Sequence, residues 1–243
     1  MISRADVLGL SDRVQPLKRK IIMSEQKIGF FGKMKPLESA ESHFEHLHGG
    51  GMRASITHEV MRDMTIDQLV WWFHNIDQRT MFNGEDFNGA EIDNYKLWHP
   101  HDHIKVRWKK KRLNAGGHIQ PGSIIHINET FAGHVINEGT VVSQFDRGAF
   151  HFEMRLPGLK IGHVLHFYEE VDGGVLYRTE LEIKCRAPII GRFFTWLACR
   201  FFASEGMVRA WMIHNVEEVG ESEKFIPQLY AHAMAQQTAK VAP

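Results

Sequence analysis

A histidine and a glutamate stand four residues apart in the stretch "WMIHNVEEVG", residues 211–220. At this spacing two side chains share one face of an α-helix, so His214 and Glu218 could bind the same metal ion. Met207 and Trp211 precede them on that face, which is therefore otherwise apolar. A solvated ion pair and a capped helix end are the alternatives, but the apolar register favours half of a metal site.

The segment "YKLWHPHDH", residues 95–103, offers three more imidazoles at His99, His101 and His103. In a strand they would lie on one face, although Pro100 favours a turn at the start of the segment. The chain lacks both the HxH-then-Glu spacing of cupin iron sites and the HExxH of zinc peptidases. A histidine-rich loop without a ligand role is the alternative interpretation.

A carboxylate interrupts the apolar strand pattern "IIHINETFAGH". Ile125, Ile127 and Glu129 share one face of that strand. A carboxylate on an inward face needs a strong partner, which a cation would supply. One histidine of "HPHDH" with Glu129, His214 and Glu218 makes a set of two histidines and two carboxylates. Such nitrogen and oxygen ligands suit Zn²⁺ best and Fe²⁺ or Mn²⁺ less well.

The bulk composition describes an ordinary globular chain of 243 residues, 43% hydrophobic and 24% charged. Its 29 basic residues balance its 29 acidic ones, so we expect neither nucleic acid nor membrane as a partner. The basic run "RWKKKR", residues 107–112, indicates an exposed strand end or turn. The most apolar stretch, after Pro188, is interrupted by Arg192 and Arg200 and is too short to span a bilayer.

The two cysteines, Cys185 and Cys199, form no disulfide framework, which predicts a reducing, cytoplasmic setting. The first residues lack the apolar core of a signal peptide. We therefore expect a poorly ordered leader over 1–26, within which Met23 could be the natural start, and a single domain over 27–243.

Secondary-structure signals place these residues on an α+β framework. Thr65 and Gln68 form a capping-box pattern that predicts a helix from about Ile66 to Ile76. Short strand patterns separated by Gly and Pro turns follow from Tyr95 to Ile183 and indicate an antiparallel meander of six or seven strands. The strand patterns run from "YKLWH" to "VLYRTELEIK", with a tight hairpin at "DGG", residues 172–174. "HFEHLHGGG", residues 43–51, is expected to be a loop.

Helical patterns return after Pro188 and run to about Val219, and a second helix starts after Ser222. This order predicts a helix-grip fold, in which a curved antiparallel sheet wraps around a long C-terminal helix and encloses a cavity. The face carrying His214 and Glu218 would look into that cavity.

Several segments resemble the 2,4-diacetylphloroglucinol hydrolase and phloretin hydrolase family over about residues 56–230. They are "MTIDQLVWWFHNI", "YKLWHPHDHIKVRW", "INETFAG", "HVLHFYEEVDGGVLYRTELEI" and "HNVEEVGESEKFIPQLY". The chain lacks most of the extra N-terminal domain of the best-known members, and the segment between His103 and Glu129 is shortened. The resemblance implies a Bet v 1-like domain that hydrolyses the carbon–carbon bond between a phenolic ring and an acyl group, a hydrolase acting on ketonic substances.

The resemblance also implies a catalytic Zn²⁺ held by His103, Glu129, His214 and Glu218. The family's substrate-binding tyrosine matches Tyr95. The reaction, a retro-Claisen hydrolysis, needs hydrogen-bond donors to the carbonyl or ring hydroxyls and a proton for the ring carbon. Tyr177 is a candidate for the first role beside Tyr95, and His166 for the second; a half-buried strand histidine is the alternative for His166.

Two functions from different classes remain open. The first is the zinc hydrolase, whose partner would be a small aromatic ketone substrate, with a homodimer possible. The second is a metal-free helix-grip carrier of a lipophilic or aromatic ligand. Trp71, Trp72 and Trp211 are candidates for an apolar wall in either case, although core positions are more common for tryptophan.

Overall fold

The computed structural model describes residues 26–156 and 158–241. The leader expected over 1–26 lies outside the described residues except for Gln26. Five α-helices are present in the described ranges: α1 (Ile66–Asn75), α2 (Asn94–Trp98), α3 (Gly191–Phe201), α4 (Glu205–Val219) and α5 (Ile226–Val241). The shorter strands of the first half are β1 (Ile28–Gly29), β2 (Gly32–Lys33), β3 (Glu41–His46), β4 (Met52–Thr57), β5 (Met61–Arg62), β6 (Arg79–Thr80) and β7 (Ile92–Asp93). The longer strands are β8 (His103–Lys110), β9 (Ile124–Phe131), β10 (His134–Phe145), β11 (Ala149–Leu156), β12 (Leu159–Val171) and β13 (Gly174–Ile183).

One nine-stranded antiparallel sheet dominates the structure. Its order is β3-β4-β13-β12-β11-β10-β9-β8, with β5 added beside β13. The long strands β8 to β13 follow one another as a meander, as predicted, and β12 turns into β13 at the expected tight hairpin, where Val171 pairs with Gly174. Strands β3 and β4 then close the far side of β13.

Helix α4 lies against this sheet and contacts both β4 near one edge and β9 near the other. A curved antiparallel sheet that grips a long helix is the helix-grip arrangement, so the predicted fold class is confirmed. Residues on every side of α4 are buried, including four polar ones: His214, Asn215, Glu217 and Glu218. Because buried polar groups need partners, these four point to interactions inside the protein.

Helix α1 begins as its sequence predicts. The Thr65 hydroxyl accepts a hydrogen bond from the Gln68 amide, and the Gln68 side chain accepts one from the Thr65 amide. This reciprocal capping box fixes the first turn. Leu69, Trp72 and Phe73 are buried on the inner face.

Three secondary-structure predictions were wrong. "YKLWH" forms α2 instead of a strand, because Tyr95, Leu97 and Trp98 all find buried positions around one helical turn. Within "HFEHLHGGG", expected to be a loop, the first residues belong to β3, an edge strand whose mostly exposed side chains hide the usual alternation.

The third error concerns the helix predicted from after Pro188 to Val219. It is two helices, α3 and α4, separated by residues 202–204. Ser204 has extended backbone angles, and its hydroxyl accepts a hydrogen bond from the Met207 amide. Such a cap begins a new helix and thereby lets α4 take its own direction.

The run "RWKKKR" covers the end of β8, an edge strand, and the two residues that follow it. Its basic side chains are exposed, as expected of a strand end. Among the residues that the structure describes, none of the helices is long and apolar enough to cross a membrane.

Candidate metal centre

Strands β8 and β9 and helix α4 bring the four predicted ligands together. His103 opens β8, Glu129 lies opposite it on β9, and His214 and Glu218 stand one turn apart on α4. The Nε2 atom of His103 is 3.1 Å from an oxygen of Glu218 and 3.8 Å from one of Glu129. The Nε2 atom of His214 is 3.7 Å from Glu129 and 3.8 Å from Glu218. Ligands about 2.0–2.1 Å from a tetrahedral zinc ion would be about 3.3–3.4 Å apart, a value that lies within the range of these four distances. His103, Glu129 and His214 have ligand atoms within 4.8 Å of one another.

Both imidazoles are turned so that Nε2 faces the cluster. The Nδ1 atom of His103 donates to the Tyr95 carbonyl at 2.7 Å, and that of His214 donates to Asp102 at 3.0 Å. The Nε2 atom of His103 is buried and makes no hydrogen bond within the described residues, although an oxygen of Glu218 is 3.1 Å away. A buried nitrogen without a hydrogen bond is costly unless it binds something else, and a metal ion fits the donor set.

The two carboxylates are held just as firmly. Tyr95 donates its hydroxyl to Glu129 at 2.6 Å, and its ring stacks on His103 at 3.6 Å between centroids. Asn215 donates to the outer oxygen of Glu218 at 2.7 Å. Thr179 in turn fixes Asn215 by donating to it at 2.6 Å. The inner oxygens of both glutamates thus stay directed at the histidines.

The pKa values of the four side chains indicate how strongly the cluster stabilises a positive charge. Burial opposes a charge on His214, yet hydrogen bonds with Asp102 and Glu129 raise its pKa to about 10. Burial likewise opposes the charge of Glu129, but His214 and His103 outweigh it and hold the pKa of Glu129 at about 2. Burial raises the pKa of Glu218 to about 7 and lowers that of His103 well below its usual value. The proton on His214 therefore occupies the role that a divalent cation would take.

A further ring of charged residues supports the cluster, and it was missed by sequence reasoning. Lys27 donates to Asp102 at 2.8 Å and to Glu217 at 2.9 Å. His99 contacts the same two carboxylates, at 3.3 Å and 3.1 Å. Asp102 and His99 lie inside "WHPHDH", and Glu217 lies beside Glu218 in "HNVEE". Their position in these motifs was the only indication in the sequence that they belong to the site. His101, in contrast, is exposed and bonds the Ile28 carbonyl.

A cavity of about 120 Å³ opens between the sheet and α4, with three of the four predicted ligands on its wall. Glu129, His214 and Glu218 line it, together with Tyr95 and His166. Most of the wall is apolar, with contributions from Phe73, Trp98, Ile125, Ile127, Phe131, Phe150, Phe152, Val164, Leu181, Met207 and Trp211. Of the three tryptophans considered from sequence, Trp211 lines the cavity and Trp72 is in the core.

The remaining predicted site residues, His166 and Tyr177, lie together beside the cavity. Tyr177 is fully buried behind His166 and is hydrogen-bonded to its Nδ1 atom at 2.9 Å. Burial raises the pKa of Tyr177 well above its usual value, so the hydroxyl keeps its proton and donates. Burial lowers the pKa of His166 to about 3, which keeps its ring neutral. His166 therefore offers an Nε2–H group instead of an imidazolium.

The fold and the cluster define a helix-grip α+β protein with two buried histidines and two buried glutamates beside its cavity. No protein-family model matches the chain, and no curated protein matches it. Solved structures resemble it loosely. A START superfamily protein from Mycobacterium smegmatis is 12% identical, with a TM-score of 0.37 over 67% of this chain and 98% of that one.

Two other solved structures give similar values. A polyketide cyclase-like protein from Corynebacterium glutamicum is 13% identical, with a TM-score of 0.34 over 78% of this chain and 94% of that one. A protein from Nitrosomonas europaea is 10% identical, with a TM-score of 0.40 over 74% and 96%. Similarities this distant say nothing about the chemistry of the cluster.

Proposed function

We propose that this protein is a zinc-dependent hydrolase that cleaves the carbon–carbon bond between a phenolic ring and an acyl group. The supporting observation is the cluster itself: two imidazole Nε2 atoms and two carboxylates converge beside an apolar cavity, with one histidine and both carboxylates on its wall. Burying two carboxylates has a large desolvation cost, which a protein without a cation to bind has no reason to bear.

Zinc is the metal that the donors favour. Two imidazoles and two carboxylates, each held in place by a hydrogen bond, suit Zn²⁺ in a four-ligand site. His103, Glu129, His214 and Glu218 would hold the ion. When bound there, Zn²⁺ supplies Lewis acidity toward a carbonyl oxygen.

The overall reaction adds water across the bond between the ring and the acyl carbon. The hydroxyl of water joins the acyl carbon, the bond to the ring carbon breaks, and the ring carbon gains a proton. His166 is placed on the cavity wall with Tyr177 donating to its Nδ1 atom, which leaves the proton on Nε2. Because its ring is neutral, His166 would donate a hydrogen bond from Nε2 toward the ring, and the proton that the ring carbon gains would come from the added water. Tyr95 keeps Glu129 in place and adjoins the space for the substrate carbonyl.

The size and lining of the cavity favour a substrate with one ring. A volume of about 120 Å³ is close to the roughly 150 Å³ of an engineered apolar cavity that binds benzene. Phe150, Phe152 and Ile127 would contact the faces of the ring. Glu138 and Thr140, both on β10, line the same cavity and could accept hydrogen bonds from phenolic hydroxyls. Within the proposed class, a monocyclic acylphloroglucinol with a short acyl chain is among the smallest substrates and is therefore the one to test first.

The second candidate is a carrier that binds a lipophilic or aromatic ligand without a metal. The mostly apolar cavity wall favours it, and a cavity of this kind binds ligands with or without chemistry. The two candidates differ in what they predict for the buried carboxylates, which a carrier would not use.

Metal analysis combined with a substrate assay separates the two. Protein purified without a histidine tag should contain about one zinc per chain and release a carboxylic acid from a monocyclic acylphloroglucinol. Glu218→Gln and His214→Ala should each lose metal or activity by more than about tenfold while remaining folded. His101→Ala, an exposed change in the same region as the first ligand, is the control and should behave like the parent. Folded, metal-free protein that binds the ketone without cleaving it would establish the carrier instead.

A further inference from the structure

Helix α3 turns its large side chains to solvent and its small ones to the protein. Gly191, Thr195 and Ala198 form the buried face. Phe193 and Trp196 remain 58% and 57% exposed on the opposite face. A surface helix normally buries its bulky apolar residues, so this helix has the reverse of the usual arrangement.

The residues flanking α3 extend this apolar surface. Ile189 is fully exposed, and its φ of +64° is a strained conformation for a β-branched residue. Phe201 is 64% exposed, and its ring centroid is 6.4 Å from that of Trp196, which lies 6.1 Å from Phe193. We call the continuous exposed surface the α3 ridge; it comprises Ile189, Ile190, Phe193, Trp196, Phe201 and Phe202.

The charged residues of the segment that carries the ridge have one sign, although the chain as a whole is balanced. From 184 to 204 the sequence contains four basic residues and no acidic one. Arg186 is paired with Glu182 outside this segment. Arg192 and Arg200 are exposed, and the guanidinium of Arg200 lies 5.4 Å from the ring centroid of Phe201. Aromatic and cationic groups therefore alternate on one surface.

We propose that the α3 ridge docks on the surface of a bilayer containing anionic lipids. Phenylalanine and tryptophan favour the boundary between headgroups and acyl chains, and arginine favours anionic headgroups. The balanced overall charge, from which we expected no membrane partner, does not describe this local surface.

A second copy of the chain is a poorer match for the ridge. A twofold interface presents the same patch from both copies, which would bring the basic side chains of the two ridges together. No acidic residue between 184 and 204 is available to neutralise them. An anionic bilayer supplies that charge directly.

Docking at this site would place the membrane beside one wall of the cavity. Helix α3 leads through residues 202–204 into α4, and Met207 and Trp211 in the first turns of α4 line the cavity. A lipophilic ligand dissolved in the bilayer would then be near that wall. The docking itself depends on neither the metal nor the proposed reaction.

Vesicle flotation with the full chain tests the proposal. The protein should float with vesicles of phosphatidylcholine containing phosphatidylglycerol and much less with phosphatidylcholine alone, and added salt should weaken the binding. The double variant Phe193→Ser/Trp196→Ser should lose at least about tenfold in binding, because these rings supply the inserted apolar area. Arg192→Glu/Arg200→Glu should lose binding to the anionic vesicles.

Matched controls use exposed residues elsewhere. Phe167→Ser removes a partly exposed ring from the sheet, and Lys109→Glu/Lys110→Glu reverses two exposed charges on β8. Both should bind vesicles like the parent. Absence of binding to anionic vesicles, or equal binding by the ridge variants and the parent, would overturn the proposal. A dimer in light scattering that the Phe193→Ser/Trp196→Ser variant dissociates would reassign the ridge to contact between copies.

Discussion

Asp102 shows how one side chain can set the chemistry of a neighbour. It accepts the Nδ1 proton of His214 and is itself neutralised by Lys27, so its charge stabilises the ring without being left unpaired. Burial opposes ionisation of Asp102, but the contacts with His214 and Lys27 hold its pKa well below the usual range. The Nε2 atom of His214 is thereby fixed in direction toward the two glutamates.

Replacing Asp102 by asparagine should therefore weaken metal binding by about 10- to 100-fold, the usual effect of removing the partner of a ligating histidine. An amide can turn its NH₂ toward Nδ1 and so disfavour the tautomer that leaves Nε2 free. Competition with a chromophoric chelator measures the affinity. Asp93→Asn, which alters a surface pair with Lys105, is the control. An unchanged zinc affinity in Asp102→Asn would show that His214 needs no orienting carboxylate.

For single residues, the sequence predicted the face on which a side chain lies better than the residues that it contacts. Helical and strand periodicity gave the faces of His214, Glu218 and Glu129, because each depends only on residues a few positions away. Asp102 reaches His214 across 112 residues of sequence, and periodicity contains no information about such partners. The supporting ring of polar residues was missed for this reason.

Helix α4 is the element on which the site depends most, and its start is defined by Ser204. The break before it was not predicted, since the apolar pattern continues through Phe201 and Phe202 without a proline or glycine. A single capping hydroxyl decided the boundary instead. For the same reason α2 and β3 were misassigned: short elements are determined by their tertiary surroundings more than by local pattern.

Ser204→Ala should lower the free energy of unfolding by about 1 kcal/mol, because the Met207 amide loses its capping acceptor. Urea denaturation followed by circular dichroism measures the change. Ser143→Ala removes an exposed hydroxyl from β10 and should stay within about 0.5 kcal/mol of the parent. Equal stability of the two variants would mean that packing alone positions α4.

The whole molecule is tied together at the site. The candidate ligands come from positions 103, 129, 214 and 218, so a bound ion would connect the first two strands of the meander to the helix that the sheet grips. The helix-grip class could be predicted because strand-rich and helix-rich regions are cleanly separated along the chain. The contribution of Lys27 to the site could not be predicted, since this residue bonds Asp102 across 75 residues of sequence.

Removing the metal should therefore lower the midpoint of thermal unfolding, Tm, of the whole domain. A ligand at about a thousand times its Kd stabilises the folded state by about 4 kcal/mol, which corresponds to a shift on the order of 10 °C for a chain of this size. Calorimetry with and without a strong chelator measures it. The shift should vanish in His103→Ala and persist in His101→Ala and in His99→Ala. A chelator effect that survives His103→Ala would move the first ligand to another histidine.

Strand β8 combines a candidate metal ligand with an exposed position at the edge of the sheet. It bears His103 at one end, yet as an edge strand it is hydrogen-bonded to the sheet on one side only. Free edges can recruit strands from other chains and start aggregation, and lysine side chains along an edge prevent this. Lys105, Lys109 and Lys110 are exposed along β8. We expect these lysines to protect the edge against misassembly, and neutralising them would endanger solubility during folding.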